Sequence, residues 1–372
     1  MFQNHLTFLY SQAIISIEIE DFAYTIADHT PVSYGPGVFY CGGTLMDKTF
    51  STTNAQLRKL RARGMVISNG SRTKRIIEME NYYNLINGYK SPFLDKSYSG
   101  TDEQYLTGTK FEEIHALYLF DRELRNIFIR YILEIENNVK SVLSHDFSGK
   151  YGHDNYMKVS HFDTSVKKWE KKTTAQKVGE VAELISRLQH EISRQLSKNN
   201  SMISHYMLEY GYVPLWVLVN TLTLGTISTF YSYLSQKDQN DIGKHFLLKP
   251  EEMNSFLQVL TIYRNACAHD ERLFNLKALR RSMKPNSIST MPTHQKMNIP
   301  VNAGNNPICG KNDLFAIVII FKTMLSKTSF NKFFSMLKKQ IEILGNNLTT
   351  ISIDAILSQM GFPSNWKDIQ SI

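Results

Sequence analysis

Cysteine is scarce in this chain of 372 residues. Cys41, Cys267 and Cys309 are the only three, and their spacing fits no metal-ligand set. So small and odd a number in a large chain excludes a disulfide scaffold and predicts a reducing, cytoplasmic compartment. Residues 1–45 contain no lysine or arginine, so the basic n-region of a secretory signal is missing. An uncharged run from Val213 to Gln236 has the length of a membrane span, but Asn220, several threonines and Gly225 interrupt it. We expect a buried pair of core helices there, with Gly225 ending the first or allowing close packing, and no membrane partner. The sequence shows no internal repeat, glycine-rich phosphate loop, metal cluster or Ser/His/Asp constellation. No metal and no cofactor is therefore expected.

Hydrophobic residues make up 42% and charged residues 20% of the chain, enough for a substantial soluble core. The net charge of +8 leaves nucleic acid or another anionic surface open as a partner. Its distribution is uneven. Residues 1–45 hold four acids and no base, whereas residues 46–100 hold ten bases against four acids. Residues 1–45 also lack a helical period and are broken by Pro31, Gly35, Pro36, Gly37, Gly42 and Gly43. We expect translation to begin at Met46 and residues 1–45 to be a non-native or disordered extension. A short accessory β-hairpin is the alternative.

Residues 46–105 read as a small basic helical module. Thr53 or Asn54 can cap a helix ending at Gly64, and a second helix is expected from Ser71 to Ile86. Arg58, Lys59, Arg61, Arg63, Arg72, Lys74 and Arg75 crowd around the turn. They form either a solvated face or a phosphate-binding patch, with Tyr82, Tyr83 and Tyr89 available for base stacking.

Residues 106–372 read as a larger helical domain. Ile114, Leu117, Leu124, Phe128, Ile132 and Ile135 recur at helical spacing, which predicts one long helix from Phe111 to about Phe147, or two with a slight break. Glu136 and Lys140, and Asn137 and Ser141, stand four residues apart on it, as surface pairs would. Further helices are expected over Thr174–Leu196, Phe256–His269, Asp313–Leu325, Phe330–Leu344 and Ile351–Met360. Residues 282–310, rich in proline, asparagine, serine and threonine, are expected to form a surface loop.

Polar chemistry concentrates in Tyr263-Arg264-Asn265-Ala266-Cys267-Ala268-His269-Asp270-Glu271-Arg272-Leu273-Phe274-Asn275. An arginine can hold a phosphate with two parallel donors, and a histidine can move a proton near neutral pH. Asn265 and His269 share a helix face, and Arg264 must reach around on its long stem. The same residues also suit a helix C-terminus, where Arg and His⁺ favour the dipole and His bonds a carbonyl. Cys267 reads as a small buried residue.

This stretch resembles the Arg-Asn-x3-His motif of HEPN-domain ribonucleases, in the form carried by abortive-infection (Abi-like, AbiD/AbiF type) proteins. Met79–Asp95, Leu117–Tyr151, Pro214–Leu234, Asp313–Leu325 and Met360–Trp366 resemble that family in the same order, so the resemblance covers about residues 46 to 370. It implies an all-α, multi-helical HEPN-type bundle and a phage-defence protein that cleaves RNA. Arg264, Asn265 and His269 would be catalytic and Asp270 supporting. Glu136, Asn137 and Lys140, which match the family's Glu-Asn-x2-Lys signature, would orient the Arg-His helix. One histidine per chain implies a homodimer that brings two motifs together. Two other readings stay open: an RNA- or protein-binding defence factor without catalysis, and a toxin held silent by an antitoxin RNA.

Overall fold

A computed structural model describes residues 50–166, 170–278, 288 and 291–372 of the chain. The expectation for residues 1–45 lies outside them. Helix α1 (Thr53–Ala62) buries Leu57 and Leu60. Its cap is Thr52, one residue upstream of the expected pair, accepting the Ala55 N–H at 3.3 Å. Gly64, at φ +87°, turns the chain away. Helix α2 (Gly70–Glu80) is shorter than expected. Asn81 breaks it at φ +63°, and its side chain accepts the Tyr83 N–H at 2.9 Å. That local bond competes with helix continuation, and asparagine tolerates the left-handed region. A π-helical turn over Tyr83–Asn87 then buries Leu85 and Ile86.

Helix α3 (Phe111–Tyr151) is unbroken over 41 residues, about 60 Å long at 1.5 Å per residue. Its start is tied to the basic module by backbone bonds: Val66 N–H to the Thr109 carbonyl at 2.8 Å, and Phe111 N–H to the Val66 carbonyl at 3.1 Å. The predicted apolar stripe is buried along it.

The rest of the chain packs on and around this helix. In order come α4 (Thr174–Ser197), α5 (Ser201–Tyr210), α6 (Leu215–Leu218), α7 (Leu224–Ser232), α8 (Gln236–Lys244), α9 (Pro250–Ala268), α10 (Pro292–Lys296), α11 (Leu314–Met324), α12 (Lys327–Asn347) and α13 (Ile353–Gln359). Rings of Phe128, Phe321 and Phe333 meet where α3, α11 and α12 join, with centroids 4.8–5.6 Å apart. The result is an all-α, multi-helical bundle; among the described residues there are isolated bridges but no strand.

The uncharged run folds as α6, a 3-10 turn and α7. Gly225 does not end a helix; it lies near the start of α7, where a Cβ would touch Thr261 of α9 at 3.4 Å. No helix among the described residues is long and apolar enough to cross a membrane. The 282–310 stretch departs from a plain surface loop. Its described part carries α10 and buries Met291, His294, Met297 and Ile299, with His294 Nε2 2.9 Å from the Gly310 carbonyl oxygen.

Candidate functional site

Helix α9 starts with Pro250 at its first turn and buries Met253, Phe256, Leu257, Leu260 and Tyr263. Those apolar side chains fix it between α7 and α3. Its last turn presents the motif. His269 is the C-cap, its N–H bonded to the Asn265 carbonyl at 2.9 Å. Asp270 follows in the left-handed region at φ +56°, and the Glu271 N–H returns to the Ala266 carbonyl at 2.9 Å. This is a Schellman ending with aspartate where glycine is the usual residue. Aspartate, like asparagine, tolerates this backbone conformation, but a carboxylate beside the negative end of a helix adds about 0.3–1 kcal/mol of unfavourable interaction.

The structure separates the three motif side chains by environment. Asn265 and His269 are exposed on the same edge of α9. The Arg264 side chain is only 12% exposed and meets Glu136 of α3, with Nε 3.7 Å from Oε2. The other carboxylate oxygen of Glu136 binds Lys140 Nζ at 2.6 Å. Glu136 and Lys140 are therefore no surface pair: both are buried, and Glu136 faces the arginine of the motif. Burial holds the Arg264 pKa below the usual guanidinium value. Asn137 is exposed and makes no side-chain bond to Ser141 among the described residues. Cys267 is half-buried, and desolvation pushes its thiol up to about 12, which removes it as a nucleophile near neutral pH.

A second buried polar pair, not singled out in the sequence, lies one stretch earlier on α3. Arg125 Nη2 binds Asp270 at 2.6 Å, and Arg125 Nη1 binds Asp121 at 2.7 Å and the Glu271 carbonyl at 3.3 Å. Asp121 also accepts the Leu273 and Phe274 N–H groups, at 3.0 and 2.6 Å, and the Tyr89 hydroxyl at 2.7 Å. Burial raises the Asp121 pKa against these bonds, and Asp121 and Asp270 hold Arg125 raised against its own desolvation. The signal was present in the sequence. Asp121 and Arg125 stand four apart, in step with Leu117, Leu124 and Phe128, on the face that the apolar period buries.

The basic module divides in the same way. Arg58, Lys59, Arg61, Arg72 and Arg75 are exposed and make no ion pair among the described residues. Lys74 is half-buried, 3.9 Å from Glu78. Arg63 is not an open cation: it binds Asp102, and Glu103 at 2.8 Å. Of the three tyrosines, Tyr83 is exposed, Tyr82 half-buried, and Tyr89 buried at 4% exposure, stacked on Phe274 at 5.8 Å. Tyr89 is thus unavailable to a base because it closes the module onto the segment after the motif. Among the described residues, no group of three or more His, Cys, Asp or Glu side chains is arranged to hold a metal ion.

A family model for Abi-like proteins matches residues 75–275, more than half of the chain. The chain belongs to the Abi-like family. The Abi-like match opens at Arg75, inside α2, and closes at Asn275, just past the motif. It takes in α3 and α9, and with them both buried polar pairs. The segments Asp313–Leu325 and Met360–Trp366 fall outside it, so the matched region is narrower than residues 46–370. Membership in the Abi-like family supports a role in abortive infection, a form of phage defence. No curated protein and no solved structure matches the chain.

Proposed function

We propose that this Abi-like protein is a HEPN-type endoribonuclease that acts in abortive infection without a metal ion. The observation that carries the reading is the split environment of the motif. Arg264 is largely buried, its Nε 3.7 Å from the Glu136 carboxylate, while His269 and Asn265 are exposed at the end of the same helix. A fixed cation beside an accessible imidazole suits phosphodiester transfer. His269 takes the proton of a ribose 2′-hydroxyl, the 2′-oxygen bonds to phosphorus, and the bond to the 5′-oxygen breaks. The leaving oxygen receives a proton, leaving a 2′,3′-cyclic phosphate and a 5′-hydroxyl. Arg264 stabilises charge on the phosphoryl oxygens, and Asn265 orients. The acid and the base are two groups, and each chain supplies one motif. A homodimer sharing one cleft provides the second. The exposed bases Arg58, Lys59, Arg61, Arg72 and Arg75 grip RNA phosphates beside Tyr83.

The test is sequencing of RNA ends in cells expressing wild type or His269→Ala, with cleavage and binding measured on purified protein. We expect cyclic-phosphate ends only with wild type, cleavage that persists in EDTA, and RNA affinity kept in His269→Ala. Excess His269→Ala mixed with wild type should lower activity below the share expected of independent subunits. RNA binding with no cleavage by wild type would replace the enzyme with a binding factor.

A further inference from the structure

His269 stands between two restraints. On its N-terminal side the helix holds it, through the bond from its N–H to the Asn265 carbonyl. On its C-terminal side α3 holds the chain. Arg125, itself 4% exposed, grips both the Asp270 carboxylate and the Glu271 carbonyl, and Asp121 accepts the Leu273 and Phe274 N–H groups. Arg125 and Glu136 are close to three helical turns apart, so they lie on nearly the same face of α3. One rigid helix therefore fixes the Arg264 side with Glu136 and the His269 side with Arg125. Asp270 is unfavourable for its place in charge, at a helix C-terminus, and its side chain is 71% exposed except where it meets Arg125. Its ion pair with Arg125 offsets that charge, and it ties the residue next to His269 to the long helix.

We propose that Asp270 and Arg125 are positioning residues. Their ion pair sets the backbone that carries His269, so that the imidazole stands at a fixed offset from Arg264. The inference rests on the nuclease reading for its kinetics, though not for its geometry. Arg125→Ala is a poor probe, because it would leave Asp121 buried without its cation. Asp270→Gly is the better one. Glycine accepts φ +56° without strain, so the fold is kept while the carboxylate is lost.

The experiment measures single-turnover cleavage of a single-stranded RNA oligonucleotide, KM, melting temperature, and the His269 ring signal by NMR with labelled histidine. For Asp270→Gly we expect the rate to fall by about 10- to 100-fold, as small misplacements do. KM should stay within about twofold of wild type, since phosphate contacts rather than His269 dominate grip. The melting temperature should hold, and the His269 signal should broaden or collapse toward an averaged position. Asp270→Asn, which keeps a weaker bond to Arg125, should lie between the two. A wild-type rate in Asp270→Gly, an unchanged His269 signal, or a rate that falls only as the melting temperature falls would overturn the proposal. If wild type cleaves no RNA, the nuclease reading fails, and the ring signal alone decides the positioning.

Discussion

Glu136 divides its carboxylate between two cations, with Lys140 Nζ at 2.6 Å on one oxygen and Arg264 Nε at 3.7 Å from the other. The pair joins α3 to the helix that carries the motif, and the carboxylate is almost wholly buried.

Removing that charge leaves the buried Lys140 without its carboxylate and takes the same carboxylate away from Arg264. Glu136→Gln is expected to lower stability by about 3–5 kcal/mol, as for a broken buried pair. Adding Lys140→Met should recover part of the loss, because one unpaired charge is then gone. Denaturant melts of the two variants check this. An additive or larger loss in the double variant would show that Lys140 is not balanced by Glu136.

Gly361 carries a different constraint. It sits at φ +80°, and a Cβ there would fall inside the carboxyl group of Asp313. Asp313 has no room to yield: it is buried, caps α11, and accepts the Gly310 N–H at 3.1 Å. Gly361→Ala should destabilise by about 3 kcal/mol or more, combining backbone strain with overpacking. Thermal melting within a few degrees of wild type would contradict the tight fit.

Asp238 gives the acid limb of stability. Burial alone would raise its pKa, but bonds from Lys150, Ser235 and Tyr151 outweigh that and hold it below the ordinary value of 3.8. The folded pKa is lower than the unfolded one, so the contribution is present above about pH 4 and is lost as pH falls through the depressed value. Asp238→Asn should therefore weaken the protein at pH 7 and flatten its loss of stability below pH 4. Parallel acid limbs in the two proteins would remove Asp238 from the account.

The exposed and paired bases of the N-terminal module should behave oppositely. Replacing Arg58, Arg61 and Arg72 with glutamine should leave the melting temperature nearly unchanged and weaken RNA binding. The slope of log affinity against log salt should fall by roughly 0.7 for each single-strand phosphate that is no longer neutralised. Arg63→Gln should do the reverse, lowering stability through Asp102 and Glu103 with little change in slope. An unchanged slope in the triple variant would leave those residues as a solvated face.

Much of the fold was legible as periodicity. The stripe from Ile114 to Ile135 announced α3, and α4, α11 and α12 begin and end within a few residues of their expected limits. What escaped was decided by packing between distant segments. Tyr89 reads as an accessible ring in sequence, yet it is buried, its hydroxyl bonded to Asp121 and its ring stacked on Phe274. Asn81 breaks α2 through a side-chain bond that the apolar period does not register. The motif residues Arg264, Asn265 and His269 were readable as a pattern. Their division into one buried cation and two exposed groups was not, because the burial of Arg264 comes from packing against α3, a segment more than a hundred residues away, where it meets Glu136.

The clamp on the motif also sets a timetable for synthesis. Arg125 and the Glu271 carbonyl it holds are 146 residues apart in the chain. At about 5–20 residues per second, the ribosome takes on the order of ten seconds between making the long helix and making the stretch that completes it. During that interval Asp121, Arg125, Glu136 and Lys140 lie on a helix whose intended cover has not yet been translated, and water solvates them instead. A chain that terminates before residue 264 therefore lacks the motif, while Asp121 with Arg125 and Glu136 with Lys140 stay paired with each other in water. Such a fragment also leaves bare the apolar surface of α3 that α12 covers in the whole protein, so it stays incompletely folded.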